Sequence, residues 1–156
     1  MPLVTAVLSP PPAAVPSTPS RIVLRLVYAG LLPFVLGAAL VWLVWPEAHP
    51  YATLALSAYA GVIVSFLGGL HWGIAFRDAD PPASLFVWGV LLPLLAWVAV
   101  MMPPSAGLVV LGVLLVAGYL VDRRVYPRHG LAAWLTLRFR LSAVAAFSCF
   151  LGAAGT

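Results

Sequence analysis

Few residues in this chain can do chemistry: eight arginines, four carboxylates, three histidines and a single cysteine among 156 residues, with no lysine. Some of them stand where polar groups are costly. His71 lies in the apolar octapeptide FLGGLHWG, Asp122 closes the run LVVLGVLLVAGYLVD, and Arg138 and Arg140 open the last apolar segment. A carboxylate in such surroundings must meet an arginine or a protonated histidine, because an unpaired buried charge is strongly destabilising. Arg123 and Arg124 follow Asp122 directly. Arg138 and Arg140 are about 200° apart on a helix, so one can face inward while the other snorkels to headgroups. These residues predict a polar cluster of His71, Asp122 and an arginine, drawn from Arg123, Arg124, Arg138 and Arg140.

Two roles are open to such a cluster. It can be a structural clamp that fixes helix packing, or a site for a proton, a quinone or an anionic ligand. Haem ligation by His71 would be a special case, but a bis-histidine arrangement is disfavoured, since His49 and His129 fall in loops on opposite sides. Three dispersed histidines make no metal site, and Cys149 alone makes no disulfide. Ser/His/Asp order, a phosphate-binding loop and paired carboxylates are all missing from the sequence. The reading is non-enzymatic, with no cofactor expected.

The elements that must position these groups are membrane helices. The chain is 63% hydrophobic and 8% charged, with a mean hydropathy of +1.09, a composition that cannot clothe a soluble surface. Crossing about 30 Å of hydrocarbon takes roughly 17 to 25 apolar residues. Five stretches qualify, over about 26–45, 51–76, 84–102, 105–121 and 137–154, so the fold class is all-α: a polytopic bundle within a domain of residues 21–156. Ser84 and Ser105 are candidate N-caps for the third and fourth spans. Residues 1–20, rich in proline and free of arginine, form an extended tail without the basic and apolar regions of a signal peptide.

All eight arginines fall before span one, between spans two and three, between spans four and five, or in the first turn of span five. They therefore share one side, which predicts a cytoplasmic N-terminus in a bacterial inner membrane. Membrane lipids account for the basic pI of about 9.8, and no nucleic-acid partner is needed.

Span two carries Thr53, Ser57, Gly61, Ser65, Gly69 and Gly73 at four-residue intervals. Small residues let helices approach closely where no hydrophobic force drives them together, so this stripe predicts a packing ridge on a central helix. His71 points roughly 160° from Gly69, some 9 Å inside the arginine-rich border. Trp72 beside it is expected to anchor at the interface, and Pro33 and Pro93 to kink spans one and three.

The segments YAGLLPF, AYAGVIVSFLGGLHWGIAF, WGVLLPLLAWVAV, LVDRR and WLTLRFRLSAV together resemble a small multi-helix membrane-protein family of unknown function, DUF3429, related to mitochondrial transmembrane protein 69. The resemblance covers roughly residues 24–152 and implies an inner-membrane protein of bacteria or mitochondria. It implies weight on Ser65, Gly68, Gly69, His71, Trp72, Gly73, Asp122, Arg123 and Arg124. The expected function is an accessory or structural subunit packing against other integral membrane proteins of a respiratory or photosynthetic complex; the alternative is a small carrier using the His71/Asp122/Arg cluster.

Overall fold

The computed structural model describes residues 19–156, so nearly all of the expected tail lies outside the described residues. Hydrocarbon offers no hydrogen bonds, which forces backbone polar groups to pair within each segment. Helices follow. They are α1 (Arg21–Ala29), α2 (Leu32–Leu43), α3 (His49–Ala75), α4 (Ala83–Met101), α5 (Pro104–Val125) and α6 (Leu135–Ala154), with 3₁₀ turns at Tyr126–His129 and Ala132–Trp134 and no strand among the described residues. With α1 and α2 taken end to end, five rods of 19 to 27 residues are long and apolar enough to cross a membrane.

Proline shapes two of these rods differently from expectation. At Pro33 the first rod is broken, not merely bent: α1 stops at Ala29 and Pro33 occupies the first turn of α2. The Tyr59 hydroxyl donates to the Gly30 carbonyl in the break at 2.8 Å. Pro93, by contrast, sits inside an unbroken α4. Serine caps also differ, since Ser20 caps α1 through Val23 N at 3.3 Å but Pro82 and Pro103 precede α4 and α5, and neither Ser84 nor Ser105 caps a helix.

α3 is the central helix, in contact with α2, α4, α5 and α6. Its core partners include Phe34, Leu92, Leu108, Leu111 and Leu115, all almost completely buried. A close crossing brings α3 to α4 at Gly68, where an added Cβ would lie 2.6 Å from the Gly89 carbonyl oxygen. Pro93 has no N–H to donate to the carbonyl four residues earlier, and that carbonyl is Gly89's. The approach of Gly68 covers the oxygen freed by Pro93.

The expected ridge divides. Thr53, Ser57 and Gly61 are buried, Ser65 is half-buried, and Gly69 and Gly73 are exposed, with nothing within 4 Å of where a Cβ would stand. Four residues advance a helix by about 400°, so each step drifts about 40° and five steps carry the stripe to the opposite face. Gly68, off the stripe, makes the close contact instead.

Two sets of contacts fix which ends are neighbours. His49 Nε2 meets the Gly155 carbonyl at 2.9 Å and Trp42 Nε1 donates to the Leu151 carbonyl at 3.0 Å, which joins the start of α3 to the ends of α2 and α6. The other end of the bundle holds the ionic cluster.

Candidate functional site

Three helices deliver one polar side chain each to the same buried point. From α3 comes His71, from the last turns of α5 Asp122, and from the first turn of α6 Arg138; the first two are 1% exposed and the third 8%. Arg138 Nε donates to Asp122 Oδ2 at 2.6 Å, and its Nη1 donates to Ser142 Oγ, one turn further along α6, at 2.7 Å. Gly118, one turn before Asp122, runs alongside the guanidinium: a Cβ there would lie in ordinary contact, 3.9 Å from Arg138 Nη2. Buried Tyr126, in the 3₁₀ turn after α5, lines one cleft together with Arg138.

The histidine contact has a proton inventory. His71 Nδ1 lies 3.0 Å from the Leu67 carbonyl, which can only accept, so Nδ1 carries a hydrogen. His71 Nε2 is then 3.2 Å from Asp122 Oδ1. A proton on Nε2 would make this a charged contact; without one the ring turns a lone pair to the carboxylate. The contact is at ion-pair distance without hydrogen-bond alignment, since neither atom has an aligned partner. With the proton present the three side chains sum to one positive charge; without it they are neutral.

Arg138 Nη2 also has no partner. This matters because Arg138 lines two adjoining clefts, of about 220 Å³ and about 360 Å³, which share Val27, Phe66, Leu67 and Leu141 as walls. Both open between α1, α3 and α6. α1 buries none of its residues, so the outer wall is weakly held. Dispersion and burial would favour an apolar chain in these clefts, with the Arg138 side chain on their wall; Nη2 itself is closed to solvent, on the side of Gly118 of α5.

Of the residues anticipated for the cluster, His71, Asp122 and Arg138 converge, whereas Arg123, Arg124 and Arg140 are exposed. Arg140 points outward for the reason its spacing gave. Trp72 is exposed at its rim and does more than anchor: Nε1 donates to the Phe86 carbonyl at 3.1 Å, and the ring packs edge-on against Phe76 and Phe86. Ser142, Gly118 and Tyr126 were not anticipated. Ser142 was findable, lying four residues after Arg138 on one helix face; Tyr126 was not, because the 3₁₀ turn that returns it to the bundle has no comparable periodicity. Among the described residues no cluster of three His, Cys, Asp or Glu side chains could hold a metal ion.

A family model described as "Protein of unknown function (DUF3429)" matches residues 19–154. The chain belongs to the DUF3429 family. Transmembrane protein 69 of Xenopus tropicalis is 35% identical over 128 residues, 77% of this chain and 49% of that relative. The chain thus spans about half the length of this DUF3429 relative, and no solved structure matches it.

Proposed function

We propose that this multi-pass membrane protein is a non-enzymatic binder or carrier of a lipid-borne amphiphile whose head presents an oxygen acceptor. The observation that carries this reading is the buried Arg138 guanidinium with Nη2 unpartnered beside an apolar cleft of about 360 Å³. A donor-only group with a free N–H in low dielectric favours an acidic or carbonyl head. The cluster sits near the arginine-rich end, which in this reading faces the cytoplasm, as the positive-inside rule supports.

A brominated fatty acid tests this through quenching of Trp134, which lines the cleft. Saturable quenching is expected, with the saturable part lost in Trp134→Phe. The paired variant Asp122→Asn/Arg138→Gln removes both charges without stranding either, and should weaken binding about tenfold or more, the value of a charged hydrogen bond. Non-saturable quenching, or equal affinity in that variant, would overturn the reading.

A second reading, an accessory subunit of a respiratory or photosynthetic complex, is favoured by the exposed Gly69 and Gly73 on α3, with half-buried Ser65 one turn before them, which suit close approach of another helix. Its test is the mass of the assembly released from native membranes by mild detergent. A protein that leaves the membrane alone, at its own mass, counts against it.

A further inference from the structure

A second polar pocket, of about 150 Å³, is lined by Ile74, Arg77, Asp78, Arg128, His129 and Leu131. It lies between the end of α3 and the 3₁₀ turn after α5, and does not include the ionic cluster. Arg77 and Arg128 are 51 positions apart in the chain, yet the fold brings both guanidinium-bearing side chains to one cavity. The turn carrying Arg128 and His129 closes on Gly130, whose φ of 73° lies in the left-handed region, and on a 2.8 Å bond from Leu131 N to the Tyr126 carbonyl. Asp78 Oδ2 holds His129 Nδ1 at 3.4 Å. That fixes the imidazole against α3.

We infer that this pocket binds the phosphodiester of an acidic phospholipid. Two arginines against one aspartate leave one net positive charge with His129 neutral, which matches the single negative charge of a phosphodiester. Guanidinium groups suit phosphate oxygens because their N–H donors are planar and paired. Leu131 lines both this pocket and the larger apolar cleft, so an acyl chain has an apolar path from the phosphate site. The site stands whether or not the cleft binds a separate amphiphile, since Arg138 takes no part in it.

The test reconstitutes the full chain into vesicles of mixed phosphatidylglycerol and phosphatidylcholine and counts retained lipids by native mass spectrometry. Wild type should retain phosphatidylglycerol over phosphatidylcholine by about tenfold or more, as two close arginines warrant. Arg77→Gln/Arg128→Gln should abolish the preference, while Arg123→Gln/Arg124→Gln, an equal charge change at exposed arginines outside the pocket, should keep it. Equal retention of both lipids by wild type overturns the site, as does equal loss in both double variants. Displacement of the lipid by millimolar inorganic phosphate would reassign the pocket to the free ion and overturn the lipid assignment.

Discussion

Gly68 and Gly69 are neighbours in sequence and opposites in the fold. A Cβ on Gly68 would meet the Gly89 carbonyl oxygen at 2.6 Å, whereas one on Gly69 would meet nothing within 4 Å. The same two turns of α3 place Leu67 and His71 inward with Gly68, and Phe66 and Gly73 outward with Gly69. One face carries the ionic cluster and the close crossing with α4, while the other is left to lipid or to a partner. The contrast shows that a glycine in a membrane helix is a packing residue only where a neighbour's backbone arrives, and about 100° of rotation decides it.

The sharpest way to break the comparison is on the inward face. Asp122→Ala strands the Arg138 guanidinium in a buried site, and should cost about 3–5 kcal/mol, read as a large fall in the unfolding midpoint in detergent micelles. The charge-removing pair Asp122→Asn/Arg138→Gln should recover much of that loss. An Asp122→Ala protein as stable as wild type would mean that the cluster is not held by charge.

Next in size is Gly68→Ala. The new methyl group must displace Gly89 and Pro93, both backbone-constrained, so overpacking of about 1–3 kcal/mol outweighs the gain of about 0.5–1 kcal/mol in helix propensity. A midpoint equal to or above wild type would show that α3 and α4 do not cross this closely.

How much of this is legible in the sequence follows from periodicity. Five spans, the one-sided arginines and the convergence of His71 with Asp122 can be read because each depends on helix repeat, span length or the cost of an unpaired charge. Which arginine completes the cluster can be narrowed but not chosen: Arg138 and Arg140 have the same chemistry, and only the rotation of α6 against α5 separates them. The ridge fails in its last two members because a four-residue stripe winds around a helix instead of running straight along it. Gly68 is hidden for a related reason, since its partner is the carbonyl that Pro93 frees on a different helix, and no spacing within α3 encodes that.

A smaller effect is expected at the other polar pair of this end. Asp78 and His129 are 33% and 19% exposed at 3.4 Å, so solvent screens them and Asp78→Asn should cost about 0–1 kcal/mol. A loss approaching that of Asp122→Ala would place this pair in the hydrocarbon instead of at its border.

The outward face gives the smallest change and the most discriminating one. Gly69→Ala should leave the isolated protein unchanged or more stable by up to about 1 kcal/mol, because the helix gains propensity and the methyl group meets nothing. Gly69→Leu separates the two uses of that face. If lipid alone covers it, the bulky residue is accommodated and both unfolding and the mass of the detergent-released particle stay as in wild type. If another helix packs there, the isolated chain is still stable but the larger particle is lost, since a small residue at a close crossing cannot be exchanged for leucine without separating the backbones. A destabilised monomer would contradict both cases, and would mean that α3 is rotated from the orientation that sets Gly68 and Gly69 apart.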